Sequence, residues 1–140
     1  MHSPTPPLPY RKFLLKLAKK LKIGDTTQNR GVVVIIDIYM KIVYIAGKYR
    51  AKTIYQINKN IQLAEDVALK YWKKGYAVIC PHKNTSFLDG SLPDDVWLNG
   101  DLEILRRCDV IVMMRDWQDS KGAVEELKLA KKLGLKVIYE

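Results

Sequence analysis

Apolar residues recur along the chain in two alternating rhythms. Residues 40–46, Met-Lys-Ile-Val-Tyr-Ile-Ala, form a short β-rich run that ends at Gly47. Beyond Thr53, a helix-capping residue type, the apolar positions Ile57, Ile61, Ala64, Ala68 and Tyr71 fall at steps of four, three, four and three. That spacing marks one face of a helix, which Gly75 stops. Residues 76–80 read as a second strand closed by Pro81, 94–107 as a helix and 110–114 as a third strand. Residues 120–133 read as a further helix, and 135–139, after Gly134, as a fourth strand. Strands alternating with helices predict βαβ units. The fold class is therefore α/β: a Rossmann-like or flavodoxin-like sandwich, with a four- to five-stranded parallel sheet and helices on both faces. Ligands of such sheets bind beyond the carboxyl ends of the strands. Here those ends are 47–50, 81–85 and 115–120.

The first 39 residues follow neither rhythm. Ser3-Pro4-Thr5-Pro6-Pro7-Leu8-Pro9 cannot form helix. Residues 10–23 place Phe13, Leu14, Leu17 and Leu21 at helical spacing, with Lys12, Lys16, Lys19 and Lys20 elsewhere around the axis. Residues 24–31 are a polar linker, and 32–38 are apolar enough for an extra strand. The βαβ pattern is complete from Met40 onward, so two readings stay open. Either 32–38 extends the sheet, or 1–39 is a basic appendage to a domain at 40–140.

Charge sharpens this division. Of the formal net charge of +9, residues 1–39 contribute +5 and residues 40–140 contribute +4. Such a balance permits attraction to nucleic acid without specifying it, and a nucleic-acid partner is not expected. The chain's 140 residues, 48% of them hydrophobic, suffice for one real core. The longest apolar run, 32–36, falls far short of the roughly 20 residues that span a bilayer. No secretory leader pattern is present either, so a cytoplasmic location is expected. Cys80 and Cys108 sit in apolar stretches, with 27 residues between them and without metal-ligand spacing, and read as buried thiols.

Two carboxylates break the helical pattern. In the last helix the apolar stripe is Ala123, Leu127, Ala130, and Glu126 lies three after the first and four before the last. Residues three and four apart share a face, so Glu126 points with the apolar side, whereas Glu125 joins Lys121, Lys128 and Lys132. In the preceding helix Asp101 stands four after Trp97 and three before Ile104, on a stripe completed by Leu105 and Cys108. An inward carboxylate needs a partner or a purpose. Two of them near strand ends match the acid pair of glycosidic-bond chemistry. The alternative is that each pairs with a buried arginine or caps backbone.

Residues at the strand ends supply further candidates. The turn 116–122 leads into the last helix, whose N-terminus can hold a phosphate. There Ser120 adds a hydroxyl and Gly122 permits close approach; a plain Ser120 cap is the simpler alternative. Gly47, Lys48, Tyr49 and Arg50 offer backbone, a ring on which a base could stack and a guanidinium. His82 and Asn84 lie after the second strand, His82 either holding substrate or merely hydrogen-bonding in a loop. With His2 as the only other histidine, zinc is not expected. Neither a Walker motif nor the dinucleotide-binding glycine fingerprint is present.

Taken together, these residues resemble the nucleoside 2-deoxyribosyltransferase superfamily, in particular its 2'-deoxynucleoside 5'-phosphate N-hydrolases and a set of small phage and bacterial proteins. The likeness covers 40–140. It rests on Tyr44-Ile45-Ala46-Gly47 with Arg50, on Pro81-His82-Lys83-Asn84-Thr85, on Asp101-Leu102 spaced eight before Asp109, and on Ser120-x-Gly122-x-x-x-Glu126-x-x-x-Ala130. The resemblance implies Glu126 as nucleophile and Asp101 as second essential acid. It further implies that Ser120, where nucleoside transferases carry an acid, and Arg50 suit a 5'-phosphate. The expected activity is hydrolysis of the N-glycosidic bond of a (deoxy)nucleoside 5'-monophosphate. Base exchange by transfer is the alternative, and a silent nucleotide-binding or sensor domain a second. No cofactor is implied, and a homo-oligomer, dimer or larger, is expected. Lys48-Tyr49, Trp117 and Asp119 depart from the hydrolase pattern.

Overall fold

Strand β1 (Ile42–Ala46) is the first of the fold: after a half-buried Ile42, its next four residues are buried. Its β-branched and aromatic side chains suit a strand covered on both faces. The computed structural model describes residues 40–140 and, before them, only Lys12, Lys16 and Lys20, each helical. The remainder of 1–39, including the expected strand at 32–38, lies outside the described residues. Two compact units are separable, Met1–Met40 and Lys41–Glu140, and the second holds the sheet.

After β1 come helix α1 (Ile54–Lys73), strand β2 (Ala77–Ile79), a single turn α2 (Pro81–Asn84) and helix α3 (Asp94–Leu105). Strand β3 (Val110–Met113), a 3-10 turn at Trp117–Asp119, helix α4 (Lys121–Leu133) and strand β4 (Lys136–Tyr139) complete the fold. The four strands form one parallel sheet in the order β2-β1-β3-β4. The α/β class and parallel sheet expected from the alternation are what the chain adopts.

Local chemistry sets the boundaries. Thr53 caps α1, its hydroxyl accepting from Gln56 N at 3.1 Å, and Gly75 leaves the helix at φ 90°. The expected loop at 81–85 is instead helical over Pro81–Asn84. A proline there is pre-set for the first turn and gives up only an N–H that has no helical partner.

The topology decides where a ligand can sit. Strand order reverses between β1, which leads out to β2, and β3, which leads out to β4. Right-handed crossovers then put α1 on one face and α3 with α4 on the other. Val43, Ile45, Val78, Val110 and Val112 accordingly pack on Ala64, Ala68 and Tyr71 of α1. The alternate residues Tyr44, Ile111 and Met113 are fully buried toward the opposite face. A crevice opens past the carboxyl ends of β1 and β3, where the connections part.

Gly47 sits at that opening. A Cβ there would lie 2.6 Å from Met114 Sδ and 2.9 Å from Met114 Cβ. Gly47→Ala should therefore destabilise the fold by about 1–3 kcal/mol, read as a lower urea midpoint with an unchanged slope. Wild-type stability in the alanine variant would disprove this packing role. Among the described residues, no helix is long and apolar enough to cross a membrane.

Candidate active site

A cavity of about 640 Å³ lies at the crevice, within the range of small-molecule sites. The loop after β1 contributes Gly47, Lys48, Tyr49 and Arg50; α2 contributes His82; α3 contributes Trp97 and Asp101; the start of α4 contributes Ser120, Gly122 and Glu126. Nearly all the candidates read from the strand ends and the two inward faces thus meet in one place. Asn84 is the exception: it is exposed and lines a separate concavity beside α1 and β2.

Glu126 occupies the floor. It is 8% exposed, whereas Glu125 is on the surface and pairs with Lys128 at 2.9 Å. Burial pushes the Glu126 carboxyl up to about 8; the neighbouring Tyr44 hydroxyl pulls it down, and the charge of Asp101 adds to the rise. Asp101 is pushed up to about 6 by burial. Among the described residues neither acid is paired with an arginine. Tyr44 reaches this face from β1, its ionisation suppressed by burial and then by Glu126. Its hydroxyl stands near the carboxyl but outside hydrogen-bond geometry.

Ser120 caps α4, its hydroxyl oxygen accepting from Ala123 N at 3.2 Å. An acceptor role leaves the hydroxyl proton to donate into the cavity. The cap and the ligand contact are compatible, so the two readings of Ser120 are not exclusive. Gly122 lies over the nucleophile candidate: a Cβ there would meet Glu126 Oε1 at 3.8 Å and Ser120 Oγ at 3.9 Å. A larger side chain would cover the carboxylate.

His82 is buried, and its Nε2 lies 3.0 Å from the carbonyl oxygen of Lys48. A carbonyl only accepts, so Nε2 carries the proton and Nδ1 is an acceptor. Burial holds the ring's pKa below its usual value, which keeps it neutral. The Tyr49 ring lies 6.0 Å from that of His82 at a tilt of 59°. Its hydroxyl accepts from Phe87 N at 2.9 Å and donates to Asp89 at 3.1 Å, tying the loop after β1 to the segment beyond α2. Arg50, at the mouth, is ion-paired with Asp94.

Among the described residues four buried polar side-chain atoms have no hydrogen-bond partner: Tyr44 Oη, His82 Nδ1, Trp97 Nε1 and Glu126 Oε2. Three belong to residues lining this cavity, and Tyr44 adjoins Glu126. Leaving such groups unpaired costs about 1–3 kcal/mol each. Their concentration at one point is what a site built for a polar ligand produces.

Three contributors escape the sequence reading. Tyr44 reads as a core aromatic in a β-rich run, since the pattern does not say which helix face lies across it. Asn60, a buried polar residue beside Ile61, donates to the Tyr49 carbonyl at 2.9 Å and holds the site loop against α1. The signal for it is a polar residue on the inward side of α1. Trp97, read as packing, lines the cavity with an unpaired N–H.

The fold has solved counterparts. It is similar to that of a 2-desoxiribosyltransferase from Leishmania mexicana, with a TM-score of 0.52 and 20% sequence identity. The alignment covers 71% of this chain and 63% of that one, and the likeness is one of fold. A comparison with curated proteins finds no match. The family model described as "Domain of unknown function (DUF4406)" matches residues 41–139. With all four strands and their connecting helices inside that match, the chain belongs to the DUF4406 family.

Proposed function

We propose that the protein hydrolyses the N-glycosidic bond of a nucleoside 5'-monophosphate. The observation that carries this reading is the pair of carboxyls without arginine partners, buried Glu126 and half-buried Asp101, on one cavity at the switch point of the sheet. Ionised Glu126 attacks C1' as the C1'–N bond breaks, forming a glycosyl-enzyme ester. The bonding electrons leave with the base, which takes a proton from solvent, while Asp101, ionised whenever Glu126 is, orients the sugar. Water then hydrolyses the ester, returning Glu126 as a carboxylate and releasing a sugar 5-phosphate. The low dielectric of the site strengthens the attraction between the carboxylate and the oxocarbenium-like transition state. Ser120, the N–H groups at the start of α4 and Arg50 provide the anion contacts.

The test is release of free base from ribo- and deoxyribonucleoside 5'-monophosphates beside the matching nucleosides, followed by chromatography. Release from monophosphates is expected. Arg50→Ala should lower kcat/KM for monophosphates by about 10- to 100-fold and spare nucleosides, since a lost charge-assisted bond is worth about 1.5–3 kcal/mol. Exchange into an added second base would establish a transferase instead. Binding without release from any compound would overturn the enzymatic reading in favour of a sensor domain.

A further inference from the structure

The charge around the cavity runs against the charge of the chain. Six acidic side chains line it (Asp89, Asp94, Asp95, Asp101, Asp119 and Glu126), five of them besides the buried Glu126, against only three cationic side chains, although the whole chain carries +9. A site that simply collected anions would not be built this way. The guanidinium assigned above to the 5'-phosphate is also already engaged: Arg50 Nη2 donates to Asp94 Oδ1. We propose that Asp94 is a specificity-determining residue that competes with the substrate's 5'-phosphate for Arg50. The inference rests on the N-glycosidase reading above.

Several observations support an exchange at this pair. Arg50 and Asp94 are 59% and 72% exposed, at the rim of the cavity, and exposed pairs are worth only about 0–1 kcal/mol. A phosphate dianion, with more charge and more acceptor oxygens than a carboxylate, displaces Asp94 at small cost. Asp94 opens α3, with Asp95 beside it in the first turn, so its displaced carboxylate remains favourably placed near the helix N-terminus. An unphosphorylated nucleoside leaves the pair intact. A phosphorylated ligand gains Arg50 but breaks the pair and meets the carboxylate surplus. The same exchange run backwards helps a phosphorylated product to leave.

The experiment measures binding, with turnover blocked by Glu126→Gln in the full chain. Calorimetric titrations with a nucleoside 5'-monophosphate and with its nucleoside give a ratio of dissociation constants. That ratio is compared in the Glu126→Gln protein alone and with Asp94→Asn or Asp95→Asn added. Asp94→Asn should shift the ratio toward the monophosphate by about three- to tenfold. Asp95→Asn makes the same charge change one residue away without contacting Arg50, and should shift it much less. Adding Arg50→Ala to Asp94→Asn should erase the gain. Equal shifts from Asp94→Asn and Asp95→Asn, or weaker monophosphate binding in Asp94→Asn, would overturn the competition. If both ligands bind and the ratio ignores Asp94, this inference alone falls; if neither binds, the N-glycosidase reading falls with it. Thermal melts of each variant confirm that loss of a carboxylate from the start of α3 has not unfolded the protein.

Discussion

Glu126→Gln abolishes base release and, at alkaline pH, makes the protein harder to melt: both outcomes are expected of one substitution. The first follows from the proposed chemistry, because an amide cannot form the glycosyl ester, and removing a nucleophile costs roughly a thousandfold or more in kcat. The second follows from linkage. Glu126 has a folded pKa of about 8, against 4.5 for the free side chain, so the folded state holds the proton more tightly than the unfolded chain does. The stabilisation from this raised value is fully present below about pH 4.5 and is lost as pH rises through about 8. At pH 9 wild type therefore carries a buried carboxylate that opposes folding by on the order of a few kcal/mol. Glutamine, neutral and of the same shape, removes that opposition. The melting temperature of Glu126→Gln should exceed wild type by roughly 5 °C or more at pH 9, and the two should converge near pH 5. Glu125→Gln, on the surface beside Lys128, should do little at either pH. A variant less stable than wild type at pH 9 would count against the buried ionisable carboxyl, and equal activity loss at position 125 would remove the distinction between the two faces.

What makes Glu126 legible in the sequence is periodicity: its placement three after Ala123 and four before Ala130 is enough to fix its helix face. The same arithmetic places Asp101 with Trp97, and both line the cavity. The strand alternation likewise carries the sheet, because residues buried on both faces leave few polar interruptions. Periodicity fails where an element is too short to show it. Residues 81–84 form barely one turn, and within it His82 and Asn84 lie about 200° apart around the axis. His82 lines the cavity and Asn84 lines a separate concavity, so the two residues read together from the sequence are parted by the turn. Periodicity also says nothing about contacts between distant segments. Arg50 and Asp94 are separated by 44 residues, and Asn60 meets the Tyr49 carbonyl across a helix and a loop. Tyr44 needs the most information of all, since its proximity to Glu126 depends on the sheet order that sets β1 beside α4.

The pH dependence of kcat/KM provides the second large effect, and it involves Tyr44 and Asp101 in opposite senses. A nucleophile that must be ionised, held at about 8 in the free protein, gives a rate that climbs with pH through that value. Burial sets most of this position; the Tyr44 hydroxyl lowers it and the Asp101 charge raises it. Tyr44→Phe should therefore move the acid limb of the profile to higher pH. Asp101→Asn should move it to lower pH while reducing the maximal rate by about a hundredfold, because the sugar loses the carboxylate that orients it. The two carboxyls titrate as a pair, so the wild-type limb belongs to both, and only the variants separate them. A general loosening of the site would expose Glu126 to water and lower its pKa in either variant. Opposite shifts require that the hydroxyl and the carboxylate act on Glu126 directly from β1 and α3. Parallel shifts, or none, would mean that Glu126 titrates independently of them and that the cavity floor is not the coupled acid pair that N-glycosidic cleavage needs.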